Sequence, residues 1–161
     1  MRRAVVLFCL GLLFATAALP LARAAEQGAG APAMSYDELM QYIVKHKGRV
    51  VLISFWATWC GPCLKEIPGL VKLRTDYPED KLALIGVALD FDPATLASYL
   101  RRTNLNFPNY HAGQELMNLM QIHAIPKMLV YDTEGHEVIN HAGYIPVEEL
   151  RPKLDALLPK P

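Results

Sequence analysis

Residues 50–56 form an apolar run that leads directly into a turn with two cysteines, and this arrangement restricts the fold more than any other feature of the chain. The run is rich in β-branched and aromatic side chains, which is typical of a strand buried on both faces of a parallel sheet. A helix is predicted over residues 61–77. The cysteines therefore lie where a buried strand passes into a helix. The turn consists of Trp59, Cys60, Gly61, Pro62 and Cys63.

The segments on either side predict a regular alternation of strands and helices. Ser35 and Glu38 have capping-box spacing, which predicts a first helix ending near residue 48. A second buried strand is predicted over residues 82–89, and Asp92 followed by proline predicts a helix to about residue 102. This alternation is typical of a single α/β domain. The remaining predictions are a loop at 104–109, a short helix at 114–121, a hairpin of strands 127–131 and 137–141, and a final helix from Pro146.

The N-terminal segment has the pattern of an export signal. Arginines at positions 2 and 3 precede an uncharged apolar run over residues 4–19, and the small-residue sequence at 22–24 follows. We expect cleavage after Ala24. The apolar run is shorter than the roughly 20 residues of a spanning helix, although an uncleaved signal that anchors the protein is the alternative.

This cleavage site defines the predicted domain organisation. A signal peptide occupies residues 1–24, a flexible leader of Ala, Gly and Pro occupies residues 25–34, and one domain occupies residues 35–161. Cys9 leaves with the signal, so the mature protein keeps two cysteines. The 16 basic and 16 acidic residues balance, which gives no indication of a nucleic-acid partner. We expect function to reside in a local site.

The two cysteines predict thiol-disulfide chemistry. Cys60 is expected at a helix N-terminus, where unpaired N–H groups and the helix dipole favour the thiolate that attacks a disulfide. Cys63, one turn further on, then attacks the mixed disulfide and closes a Cys60–Cys63 bridge. Pro62 suits the first helical turn because its missing N–H would have no partner there. Half of a zinc site is the alternative, but such a site needs four ligands and no second cysteine pair exists.

The N-terminal signal and the sequence FWATWCGPCLKEIP together resemble the TlpA/ResA/DsbE-type periplasmic members of the thioredoxin superfamily. The resemblance implies a thioredoxin-like three-layer α/β fold, in which a mixed central sheet is flanked by helices and a TlpA-type helical insertion occupies residues 92–121. It also implies a periplasmic location. Ile125 and Pro126 match the family's cis-proline loop, and Gly143 matches a glycine at the border of the substrate groove. No metal or other cofactor is expected.

Glu66 is a candidate proton relay. It lies three residues after Cys63 on the same side of the predicted helix, and ResA-like proteins have a glutamate there. A solvated helix glutamate is the alternative. Ser54 and Lys127 depart from the thioredoxin pattern, which has a buried aspartate and a threonine at these positions. Trp59 is expected to pack beside Cys60.

The resemblance implies a reductant, because Gly-Pro between the cysteines is the dipeptide of reducing thioredoxins. Such a protein needs a membrane electron donor of the CcdA or DsbD type. Its substrates would be exported proteins with disulfides or cysteine pairs, such as apocytochrome c during cytochrome c maturation. A peroxiredoxin-like thiol peroxidase and a copper or haem chaperone that uses the same cysteines as ligands remain the alternatives.

Overall fold

The structure is a computed structural model that describes residues 30–158. The predicted signal peptide lies outside these residues. Within residues 30–158, none of the helices combines the length and the hydropathy that crossing a bilayer requires. The elements in chain order are β1 (Ala33–Met34), α1 (Tyr36–Lys45), β2 (Val50–Trp56), α2 (Gly61–Asp76), β3 (Leu82–Ala88), α3 (Pro93–Arg102), β4 (Asn109–Ala112), α4 (Gln114–Leu119), β5 (Lys127–Tyr131), β6 (Glu137–Ala142) and α5 (Val147–Leu157).

The strands form one mixed sheet with the order β1-β4-β3-β2-β5-β6. Strand β2 lies between β3, which runs parallel to it, and β5, which runs antiparallel. All seven residues of β2 are buried, as the apolar run predicts. The carboxyl end of β2 therefore projects from the middle of the sheet, and the two cysteines follow it.

Two apolar clusters cover the two faces of the sheet. On one face, alternate side chains of β2 and β3 pack with Leu39 and Ile43 of α1 and Leu116 of α4. On the other face, the intervening side chains pack with Leu70 of α2 and Leu150 of α5, among others. This arrangement confirms the predicted three-layer α/β fold, because strand alternation sends successive side chains to opposite faces.

The helix starts form as their sequences predict. Ser35 Oγ accepts from the Glu38 amide at 3.3 Å, and Glu38 Oε2 accepts from the Ser35 amide at 2.7 Å, so the capping box is complete. Asp92 caps α3 through the amides of Ala94 and Thr95. These local contacts confirm the predicted starts of α1 and α3.

Two short strands differ from the prediction. β4 begins at Asn109, the last residue of the segment predicted as a loop, and no strand was predicted over residues 110–113. β1 lies within residues 25–34, so the leader predicted as flexible through residue 34 ends at least two residues earlier. β1 and β4 are two and four residues long and pair with each other, and strands this short show no periodicity. The predicted insertion at 92–121 therefore contains a sheet strand as well as two helices.

Candidate active site

Cys60 and Cys63 form a disulfide at the N-terminus of α2. The S–S distance is 2.02 Å and the Cα–Cα distance is 5.2 Å. Cys60 is the N-cap residue, and its Sγ accepts a hydrogen bond from the Cys63 amide at 3.2 Å. Cys60 is 5 % exposed and Cys63 is 1 % exposed. Cys60 is thus the more accessible of the two sulfur-bearing residues.

The turn before the cysteines is closed by short-range bonds. The Cys60 amide donates to the Ala57 carbonyl at 3.1 Å, and the Leu64 amide donates to the Cys60 carbonyl at 3.0 Å. Pro62 lies in the first turn of α2, where it removes an N–H that the helix could not pair. Gly61 faces open space, since a Cβ there would meet no atom within 4 Å.

The loop that precedes β5 comes to the same end of the sheet. The Ile125–Pro126 bond is cis, in agreement with the sequence-based expectation. Lys127 pairs with Phe55 near the end of β2, and Ile125 packs against the cluster that contains both cysteines. Gly143 has φ +96° and donates its amide to the Pro126 carbonyl at 2.8 Å. The loop at residues 125–126 and Gly143, which are far from the cysteines in sequence, therefore lie at the end of the sheet that carries them.

Glu66 is buried on α2, which excludes the solvated-helix alternative. Its Oε1 accepts a hydrogen bond from the Ile145 amide at 2.8 Å. Burial raises the pKa of this carboxyl from its ordinary value of 4.5 to about 6, and the bond from Ile145 opposes part of that rise. A carboxyl with such a pKa exchanges protons readily near neutral pH.

The two tryptophans have different environments. Trp56 is buried, and its Nε1 donates to Asn109 Oδ1 at 3.1 Å. Trp59 is 57 % exposed and stacks on Phe91, with ring centroids 5.8 Å apart and 10° between the planes. Trp59 was expected to pack beside Cys60, but much of its ring faces solvent.

A profile described as thioredoxin-like matches residues 48–137, which include β2, both cysteines and β5. The chain belongs to the thioredoxin-like family. It is 30% identical over 112 residues to the thioredoxin-like protein YneN of Bacillus subtilis (strain 168), with 68% of this chain and 65% of that protein covered. It is 28% identical over 114 residues to the thiol-disulfide oxidoreductase ResA of Bacillus thuringiensis (strain Al Hakam), with 70% and 66% covered.

The chain thus spans just under two thirds of the length of these two curated relatives. Among solved structures, StoA from Bacillus subtilis superposes on this thioredoxin-like chain with a TM-score of 0.58 and 26% identity. That match covers 66% of this chain and 82% of StoA. These relatives confirm the resemblance to TlpA/ResA/DsbE-type proteins.

Asp90 is a buried residue of this thioredoxin-like site that the sequence interpretation missed. Its carboxylate accepts from the Thr58 amide at 3.2 Å and from Thr58 Oγ1. His111 Nε2 donates to the Asp90 backbone carbonyl at 2.6 Å. Asp90 directly follows a predicted buried strand parallel to β2, and that position could have indicated a polar group near the cysteines.

His136 lies immediately before β6. His136 is exposed and lies 3.5 Å from Asp132 and 3.6 Å from Glu134. Among residues 30–158, no set of three or more His, Cys, Asp or Glu side chains has an arrangement that could hold a metal ion.

Proposed function

We propose that this protein is an exported thiol-disulfide oxidoreductase that reduces disulfides in other exported proteins. The observation that carries the proposal is the Cys60–Cys63 disulfide at the start of α2, with the Cys63 amide directed at Cys60 Sγ. After reduction, the same amide and the helix dipole stabilise negative charge on Cys60 Sγ. The relative ResA is named a thiol-disulfide oxidoreductase, which supports the same chemistry.

The first step is an attack by the Cys60 thiolate on a substrate disulfide. A new S–S bond joins Cys60 to the substrate, and the substrate's other sulfur leaves as a thiolate that takes a proton. In the second step, the Cys63 thiol loses its proton and attacks Cys60 Sγ. The Cys60–Cys63 bond forms, the second substrate sulfur leaves and is protonated, and two electrons have passed to the substrate.

Glu66 is proposed to accept the proton of the Cys63 thiol in the second step. Its pKa of about 6 leaves it ionised at neutral pH, so it can act as a base there. It lies one helical turn beyond Cys63, on the same helix side. Ser54 occupies the strand position at which plain thioredoxins have an aspartate, so Glu66 is the proposed replacement for that route.

Ile125, Pro126 and Gly143 are proposed to line the groove that receives the substrate chain. Ile125 packs in the cysteine cluster, and the Gly143 amide is bonded to the Pro126 carbonyl. Backbone groups in this region could pair with an extended substrate strand. Trp59, Gly61 and Pro62 complete the active-site turn.

The proposed direction of electron flow is reduction. Gly61 and Pro62 form the dipeptide of reducing thioredoxins. Their reduction potentials are about −270 mV, compared with about −120 mV for the oxidant DsbA. A reductant outside the cytoplasm needs a supply of electrons, so we propose a membrane donor of the CcdA or DsbD type. Residues 1–24 are proposed as the export signal, and the periplasm as the location. Apocytochrome c is a proposed substrate, which would place the protein in cytochrome c maturation.

The equilibrium redox potential of the Cys60–Cys63 couple and the reduction of insulin disulfides test the proposal. We expect a potential nearer to that of thioredoxin than to that of DsbA, and insulin reduction that Cys60→Ser abolishes. Cys63→Ser should retain the first step and accumulate a mixed disulfide, because the resolving sulfur is missing. Mass spectrometry of the trapped adduct measures this outcome.

The control is Ser54→Ala, which alters a buried polar residue of β2 and leaves both sulfurs in place. Exchange activity in the Cys60→Ser protein equal to that of the unaltered protein would exclude the mechanism. A potential near that of DsbA would reverse the proposed direction.

A further inference from the structure

An exposed pair of aromatic rings lies beside the cysteines, and we call Trp59 and Phe91 the aromatic platform. Phe91 is 92 % exposed, and it has the highest exposed fraction among the large apolar side chains in residues 30–158. The two rings stack nearly parallel, and both keep apolar surface in water. Exposed apolar surface next to a reactive group indicates a contact site.

Partly buried hydrogen bonds between the two chain segments hold the rings together. Thr58 and Asp90 precede the two aromatic residues, and the Thr58 amide and hydroxyl both donate to the Asp90 carboxylate. The amide of Leu89, one residue before Asp90, donates to the carbonyl of Trp56, two residues before Thr58, at 2.8 Å. The turn before Cys60 and the segment after β3 are therefore fixed in register, which places the rings side by side.

The chemistry of exchange brings a substrate chain to this platform. In a disulfide, the two Cα atoms lie about 4.4–6.8 Å apart. The substrate cysteine joined to Cys60 is therefore held at that separation from Cys60. Trp59 is the residue immediately before Cys60, and neighbouring Cα atoms are about 3.8 Å apart. A residue next to the substrate cysteine thus comes within reach of the Trp59 ring.

We propose that the aromatic platform binds an apolar side chain adjacent to the reacting cysteine of the substrate, and thereby selects proteins with such a residue. This inference rests on the proposed oxidoreductase function. The nearby carboxylates are engaged in hydrogen bonds, Asp90 with Thr58 and Asp92 with the start of α3. The rings rather than the charges therefore offer the free surface.

Peptide disulfides that differ at one position test the selection. Three peptides carry Leu, Ser or Lys next to the reacting cysteine, and the second-order rate constant for their reduction is measured. We expect the Leu peptide to react about five-fold faster than the Ser peptide, the effect of burying roughly 40 Å² of additional apolar surface at about 25 cal/mol per Å². Phe91→Ala should remove most of that difference, and Phe91→Tyr should keep it.

Two further measurements separate binding from other effects. Phe91→Ala should leave the redox potential and the reduction of glutathione disulfide unchanged, since neither depends on a flanking side chain. Leu119→Ala is the matched control, because Leu119 is 54 % exposed on α4 and lies outside the platform. It should keep the preference for Leu.

The possible outcomes are distinct. A Leu preference that survives in Phe91→Ala, a preference for Lys, or equal rates for the three peptides with the unaltered protein would overturn the platform while leaving the oxidoreductase function intact. A dimer that Phe91→Ala dissociates would also overturn it, because a second copy would then cover the rings. Failure of the unaltered protein to reduce every peptide would overturn both proposals.

Discussion

At the scale of single residues, Glu66 couples the fold to pH. Its folded-state pKa of about 6 exceeds the ordinary value of 4.5, because burial disfavours the charged form. The folded protein thus binds a proton more tightly than the unfolded chain does. The resulting contribution to stability is fully present below about pH 4.5 and is lost as the pH rises to about 6.

Glu66→Gln should remove this pH dependence. The free energy of unfolding of the oxidised protein should fall by up to about 2 kcal/mol between pH 4 and pH 7 through Glu66 alone, and the variant should lack that part of the decrease. Gln retains an oxygen that can accept from the Ile145 amide. Urea denaturation at several pH values measures the effect, with Glu148→Gln on the exposed start of α5 as the control. Parallel curves for the unaltered protein and Glu66→Gln would contradict the assigned pKa.

The same variant tests the proposed proton transfer. With reduced protein, Glu66→Gln should slow resolution of the mixed disulfide at pH 7 by of order 10²-fold, the size of a general-base effect. Stopped-flow measurement across pH 5–8 follows the step. If Glu66→Gln leaves both the rate and its pH profile unchanged, Glu66 has no part in proton transfer.

The positions of functional residues were predictable where they depend only on residues close by in the sequence. The separation of Cys60 and Cys63 and the strand-to-helix transition were sufficient to locate the sulfur pair. The burial of Glu66 was not predictable, because it depends on the Ile145 amide, 79 positions along the chain. The roles of Asp90 and Phe91 were not predicted for the same reason, since their partners Thr58 and Trp59 lie on another segment of the chain.

At the scale of elements, Gly86 of β3 leaves room for side chains of the two neighbouring strands, Trp56 of β2 and Asn109 of β4. A Cβ on Gly86 would collide with Asn109 Oδ1 and lie 2.9 Å from Trp56 Nε1. Those two atoms form the hydrogen bond that satisfies the buried indole. The glycine therefore supports the strand that leads to the cysteines.

Gly86→Ala should destabilise the protein by about 1–3 kcal/mol, through overpacking and disturbance of the Trp56–Asn109 bond. Thermal or urea unfolding measures the change. Gly113→Ala is the control for an added methyl group without a clash, since a Cβ at Gly113 meets no atom within 4 Å. Because Gly113 is the N-cap residue of α4, we expect a loss of about 1 kcal/mol or less there. Equal stability of the two variants would contradict the proposed role of Gly86.

Long elements were more predictable than short ones for a physical reason. β2 and β5 have seven and five residues and are largely buried, so their apolar composition indicates them without tertiary context. β4 has only partly buried residues apart from Ala112, and β1 has two residues in all. β4 forms because the edge of β3 is available for pairing, and β1 forms because the edge of β4 is available. That information lies outside their own sequences.

At the scale of the whole molecule, β1 extends the sheet at one edge. The Pro32 carbonyl accepts from the His111 amide at 2.8 Å, and Met34 is buried in the core beside Ala112. Residues immediately before the predicted domain boundary therefore belong to the folded unit. The domain boundary at residue 35 requires this correction.

A truncated chain that begins at Ser35 should be less stable than one that begins at Ala25. Loss of the buried Met34 side chain alone is expected to cost about 2–5 kcal/mol. Equilibrium unfolding of the two proteins measures the difference. Equal stability would mean that β1 contributes nothing to the sheet.

The central position of β2 has a consequence for how exchange proceeds. A buried strand bonded on both sides opens only when the molecule unfolds globally, so its amide hydrogens should be among the slowest to exchange with solvent. Cys60 therefore follows a strand that moves little. In the proposed exchange reaction, the substrate would then have to supply the deformation that brings three sulfur atoms into line. We therefore expect substrates whose cysteines lie in loose or incompletely folded segments to react faster.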